Sequence, residues 1–291
     1  MLRTSNPILT KDEAFAPRAR QGQGQWGAYP QQAPGFGTQD PRRANPYQQG
    51  PVGAPTPSKG RMTMEDVLTK TLVVMGLMIL VAGATWASII TGLLPIQAAL
   101  PLMVVSGLGT VVLSLVVGFR SKVGPVAALL LGVLEGVFVG MISMVFEQSY
   151  PGIVIQAVFA TLVVAAVMLV AYRFKVIRVT PVFTKVLIIA TVSFGLAMLL
   201  NFALAIFGVN GGSGLGFRAG VDGPVSMLAI GVSILGVVLA SLNLILDFDL
   251  VERGVRNGAP ASQSWLAAFG LTVTMVWLYI EILRIISYFR R

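Results

Sequence analysis

The chain has 291 residues, 55% of them apolar and only 11% charged, and a mean hydropathy of +0.79. Soluble domains carry roughly 25% charge, so a water-soluble globular fold is excluded for the chain as a whole. There is no cysteine and no histidine, which removes disulfides, thiolate and imidazole metal sites, and the Ser-His and Cys-His catalytic sets. No cofactor and no enzyme chemistry is expected.

Residues 1–61 form the first segment. From Gln21 to Gly60, 23 of 40 residues are Gln, Gly or Pro, interspersed with Trp26, Tyr29, Phe36 and Tyr47. Such a composition buries too little apolar surface to offset the entropy of ordering, so a disordered tail is expected. Its first residues lack an apolar core, so no cleavable signal peptide is expected. Residues 62–291 form the second segment, an all-α membrane domain.

No Asp, Glu, Lys or Arg lies between Lys70 and Arg120. A membrane helix needs roughly 20 residues, so this uncharged run holds two, divided at Thr91-Gly92-Leu93-Leu94-Pro95. Thr63-Met64-Glu65-Asp66 supplies a capping signal for the first. Seven transmembrane spans are predicted, at about 68–91, 97–119, 123–146, 151–172, 184–209, 223–247 and 263–288, too long and too continuously apolar for barrel strands.

Lys and Arg mark the cytoplasmic loops of membrane proteins. Lys59, Arg61, Lys70, Arg120, Lys122, Arg173, Lys175, Arg178, Lys185, Arg253 and Arg256 all fall on one side of the seven spans, and Arg218 alone on the other. This places the tail in the cytoplasm and accounts for the net charge of +9 without nucleic acid. Arg290 and Arg291 run against the rule if the last span crosses fully, and a re-entrant last helix is the alternative. Its length, with Trp277 and Tyr279 suited to an outer interface, favours crossing.

Ionisable residues inside a bilayer cost roughly 2.5–3.5 kcal/mol at the helix centre and face the bundle interior. Glu135 lies beside Gly132, Gly136 and Gly140, a small-residue stripe for close helix contact. It is read either as an ion or proton site or as a carboxyl hydrogen-bonded across helices. Asp247 closes the sixth span, and Asn243, four residues earlier, shares its face and one polar site. Asp249 is turned away and four residues before Arg253, a surface ion pair. Glu281 shares a face with Thr274 and Trp277; its structural reading is a pair with Arg284 at the outer interface. Asn201 reads as a cross-helix hydrogen bonder. Gly208 to Gly223 lacks the Gly-Lys-Ser/Thr of a phosphate loop and reads as a flexible outer loop.

Four segments resemble the bacterial Bax inhibitor family, the transmembrane Bax-inhibitor-motif proteins. They are Leu134-Glu135-Gly136 through Ser143, Ile155 through Thr161, Asp247-Phe248-Asp249-Leu250-Val251, and Leu278-Tyr279-Ile280-Glu281-Ile282-Leu283-Arg284. The likeness spans about residues 62–288. It implies seven helices with the last enclosed by the others, a pH-sensitive calcium leak, and in some members regulation of cell death or of a membrane protease. The family's sensor is an aspartate pair on helices six and seven. Asp247 matches the first member, and Thr274 stands where the second would be. The basic latch of the family's second helix has no counterpart in the uncharged 97–119. Glu281 or Glu135 is the candidate substitute acid.

The expected function is a Ca²⁺ or H⁺ leak of the bacterial plasma membrane, gated by Asp247, Glu135, Glu281, Asn243 and Thr274. The alternative is an interaction protein that restrains a membrane protease. The orientation is directly testable, because the chain is cysteine-free. A single cysteine within 173–185 is expected to resist an impermeant thiol reagent on intact cells; labelling there would reverse the topology.

Overall fold

The computed structural model describes residues 60–119, 123–218 and 225–290. The expected disordered tail, the loop basic residues Arg120 and Lys122, and Arg291 lie outside the described residues. Seven helices follow in order: α1 Met64–Ile90, α2 Ala99–Gly118, α3 Pro125–Ser149, α4 Ile153–Arg173, α5 Pro181–Ile206, α6 Met227–Arg256 and α7 Gln263–Phe289. Each is long and apolar enough to cross a membrane, α2 together with a short 3₁₀ turn before it, and the described residues contain no strand. The protein is a multi-pass membrane protein.

Local chemistry sets the boundaries. The Thr63 hydroxyl accepts from the Asp66 amide at 3.1 Å, as the capping signal predicts. Thr180 and Ser226 cap α5 and α6 in the same way. Pro125 and Pro181 open their helices where a missing N–H costs nothing. The connection from α3 to α4 turns at Gly152, whose φ of 81° suits glycine. Across it the Glu147 carboxylate accepts from the Gly152 and Val154 amides at 2.5 and 3.1 Å, satisfying the start of α4. The largest departure from the expected bounds is at the end of α6, which continues past Asp247 to Arg256, whereas the other ends shift by four residues or fewer. Asp247 therefore sits inside a 30-residue helix rather than at its end. The Asp249–Arg253 ion pair, predicted from the four-residue spacing, lies on this extension.

Contacts at the two ends of the bundle decide how α7 runs. At one end, the Met62 amide donates to Ala259 O at 2.7 Å and the Ala261 amide to Gly60 O at 2.9 Å. Lys70 Nζ reaches Ala261 O at 3.2 Å and lies 5.4 Å from the Trp265 ring centroid. The start of α7 is thus bound to the start of α1. At the opposite end, Arg290 Nη1 donates to Pro151 O at 2.8 Å, joining the end of α7 to the α3–α4 turn. A helix tied to residue 60 at one end and residue 151 at the other traverses the whole bundle, as a fully crossing last span requires. The argument from an interfacial Tyr279 does not hold, because that residue is buried.

α7 is the centre. It has the largest buried share of any span and packs against α1, α3, α4 and α6, while Trp277 reaches Phe194 on α5. Leu278 and Leu283 are fully buried, with Ile142, Ile153, Ala157 and Ala240 from α3, α4 and α6 around them. α2 packs on α3. The outer faces of α2, α4 and α5 expose Leu, Val, Ile and Phe such as Leu100, Val112, Phe159, Val163, Ile189 and Leu196, the surface a hydrocarbon solvent requires.

The glycine stripe of α3 lies against α1. A Cβ on Gly136 would stand 2.7 Å from Met78 O and from Val81 Cβ, and one on Gly140 would stand 2.6 Å from Ala82 O. These obstacles are backbone and a branched carbon, which cannot swing aside. Gly136→Leu is expected to destabilise the purified protein by at least the ~1–3 kcal/mol typical of overpacking, read as a lower thermal midpoint in detergent. Gly83→Leu is the control, since nothing stands within 4 Å of its Cβ position. Equal midpoints for both variants would contradict the α1–α3 packing.

Candidate functional site

Helices α6 and α7 are adjacent along much of their length, and the polar residues between them form two separate groups. The first lies eleven residues into α7. There the Asp247 carboxylate accepts a hydrogen bond from the Thr274 hydroxyl, and its Oδ1 stands 3.7 Å from the position a Cβ on Gly270 would take. The small Gly270 lets the acid lie close against α7. Asp247 Oδ2 is buried without a hydrogen-bond partner among the described residues. Thr274 therefore faces Asp247 directly.

Asn243 does not join this group. Its amide nitrogen donates to Thr191 Oγ1 on α5 at 2.7 Å and to Leu239 O at 2.8 Å. A four-residue spacing put Asn243 and Asp247 on one helix face, but that face meets α5 at one level and α7 at the next. The shared Asn243–Asp247 site is thereby corrected to two distinct contacts.

The second group surrounds Glu281, about two turns further along α7 and 2% exposed. Its partner is not Arg284 at an interface but Arg218, from the connection between α5 and α6. Arg218 Nη2 meets Glu281 Oε1 at 2.5 Å and Nη1 meets Oε2 at 2.6 Å, a two-pronged fork. Ser233 Oγ of α6 accepts from Nη1 at 3.2 Å, and Trp277 Nε1 donates to Glu281 Oε1 at 3.2 Å. The guanidinium lies 5.8 Å from the centroid of Phe194, whose ring is 5.7 Å from that of Trp277. Gly236 leaves room for the acid: a Cβ there would stand 2.6 Å from Glu281 Cδ. Arg284 lies over the Phe146 ring and bonds Tyr288, and it interacts electrostatically with Glu281 without taking the place of Arg218.

Arg218 is delivered by a loop that is anchored to the bundle. Asn201 Oδ1, at the end of α5, accepts from the Leu215 amide at 2.8 Å. Gly214 passes so close that a Cβ would stand 2.4 Å from Asn201 O. Asn201 thus secures a loop rather than a second helix. Up to Arg218, this loop carries a charged side chain into the bundle. The signal in the sequence was the isolation of Arg218: one basic residue on an otherwise empty side of the membrane.

Glu135 forms a third, separate point. It is 2% exposed, and its Oε2 has no hydrogen-bond partner among the described residues. The glycine face beside it is occupied by α1, so the acid points inward as expected. A fourth polar contact, Ser143 Oγ to Tyr279 OH at 2.7 Å, joins α3 to α7 within two of the family-like segments.

Replacing Thr274 by the nearly isosteric Val removes one hydrogen bond to Asp247 and leaves the volume unchanged. The expected loss is about 1 kcal/mol, measured as a lowered thermal midpoint. An unchanged midpoint would show that the Asp247–Thr274 contact contributes nothing to the fold.

Comparison with known proteins agrees with this architecture. No curated protein matches the chain. The profile of one family, described as Bax inhibitor 1 like, matches residues 6–291. That match extends through the Gln/Gly/Pro-rich tail, further than the likeness over 62–288 read from motifs. The chain belongs to the Bax inhibitor 1-like family.

Proposed function

We propose that the protein is a pH-sensitive cation leak, for Ca²⁺ or H⁺, of the bacterial plasma membrane, with its N-terminus in the cytoplasm. One observation carries this reading. Glu135 and Asp247 are carboxyls within membrane-spanning helices, each with a buried oxygen lacking a hydrogen-bond partner and neither in an ion pair among the described residues. A charge so placed costs several kcal/mol unless a proton or a cation neutralises it. The bundle keeps such acids where packing alone favours apolar side chains. Exchangeable neutralisation by protons or metal cations explains why. Family membership supports the same reading.

The alternative, an interaction protein that restrains a membrane protease, needs a docking surface, for which the sequence offers the tail and the glycine-lined helix face. The glycine face of α3 is covered by α1. That reading then rests on the tail.

The pH dependence has a definite sign. Ionised carboxyls attract cations, and protonation removes that attraction. Ca²⁺ flux into proteoliposomes is therefore expected to fall as pH is lowered from about 8 to about 5. Asp247→Asn and Glu135→Gln should each reduce flux at the upper end and flatten the profile. Thr274→Asp should move the fall to higher pH, because two facing carboxyls hold one proton more tightly than one alone. Flux equal to that of empty liposomes in every variant would refute the leak and leave the protease-restraining reading.

A further inference from the structure

We infer that the residues around Glu281 form a cage for a planar organic monocation, and that Arg218 is its tethered ligand, plugging one end of the bundle. Cage and cation come from different parts of the chain. Glu281 and Trp277 belong to α7, Ser233 and Gly236 to α6, and Phe194 to α5, whereas Arg218 hangs from the loop between α5 and α6. A carboxylate fork, a hydroxyl acceptor and an aromatic face are the three features that recognise a guanidinium. All three converge on Arg218, whose side chain is 18% exposed, whereas Glu281 is 2% exposed. The cation thus closes the cage from the loop side, and the acid lies beneath it.

The cage is shaped by its walls. Trp277 and Ser233 hydrogen-bond from helices, and the absence of a side chain at Gly236 reserves the space that the Glu281 carboxylate fills. Among the described residues, one other charged group neighbours it. Arg284, one turn further along α7, is electrostatically coupled to both Arg218 and Glu281 while bonded to Tyr288. Glu281 is the acid that receives Arg218. Loss of Arg218 leaves the carboxylate facing Ser233 and Trp277, a vacancy matching a free guanidinium ion. The plug is carried by the α5–α6 loop and closes on α7. It differs in both members from a latch on the second helix.

The binding claim stands on geometry alone, and the plugging claim rests on the cation-leak reading. Two readouts on the purified full chain separate them. In the first, thermal midpoints are measured with guanidinium chloride at low-millimolar concentration, against sodium chloride at equal ionic strength. Arg218→Ala is expected to melt several degrees below the unsubstituted protein and to recover at least half the difference with guanidinium but not with sodium. The unsubstituted protein, its cage filled, should not respond, and Glu281→Gln in the Arg218→Ala background should abolish the recovery. No recovery, or equal recovery without Glu281, overturns the cage. Should Arg218→Ala yield no folded protein, Arg218→Lys decides, since it keeps the charge and loses the fork. A midpoint below that of the unsubstituted protein and raised by guanidinium supports the cage, and a midpoint equal to it and unmoved overturns it.

The second readout is cation flux in proteoliposomes. Arg218→Ala, or Arg218→Lys in its place, should leak several-fold faster than the unsubstituted chain, and guanidinium should slow it again. A measurable leak that is the same with and without Arg218 overturns the plug. No leak from any protein removes the reading beneath the plug and the plug with it, while the thermal experiment still decides the cage.

Discussion

A helix that carries Thr274, Glu281 and Arg284 on its way across a membrane cannot face lipid. Nothing in hydrocarbon can hydrogen-bond or neutralise those groups. They are satisfied only if α7 is enclosed, and much of the bundle's form follows from that. α1, α3, α4 and α6 lie directly on α7, α5 reaches it through Phe194, and α2 remains outside on α3. Close enclosure needs thin walls. The glycines of α3 let α1 approach to backbone contact, Gly236 on α6 makes room for Glu281 of α7, and Gly270 on α7 makes room for Asp247 of α6.

The polar groups inside this enclosure do not form one network. Asp247–Thr274, Arg218–Glu281 and Glu135 occupy three places, and their electrostatic situations differ. Glu281 has a full counter-charge and is the kind of pair whose breakage costs roughly 3–5 kcal/mol. Asp247 has a hydroxyl, and Glu135 has a buried oxygen with nothing opposite it among the described residues. A structural ion pair and two uncompensated acids are suited to separate tasks. The first holds a loop against the bundle, and on the leak we propose the others exchange a proton or a cation.

How much of this the sequence revealed depended on the range of the interaction. Helices and their starts are local: uncharged runs of about 20 residues, Thr63, Pro125 and Pro181 were all readable in place. The inward direction of Glu135 was readable too, because Gly132, Gly136 and Gly140 mark the adjacent face. Asp247 opposite Thr274 came from family likeness rather than spacing. The partner of Glu281 was not legible. Arg284 is three residues away and Arg218 sixty-three, and only the fold brings the distant one nearer. Asn243 failed for a related reason, since sharing a helix face does not mean sharing a neighbour. The end of α6 was misplaced because Asp247 looked like the edge of the membrane, whereas the helix continues for nine residues past it.

The central claim is that buried, uncompensated carboxyls make this bundle a path for cations. The most direct measurement is the reversal potential of a planar bilayer containing only this protein, with a salt gradient across it. A potential on the cation side is predicted, collapsing toward zero when Glu135→Gln and Asp247→Asn are combined. A potential on the anion side, or cation selectivity that survives the loss of both acids, would contradict the account.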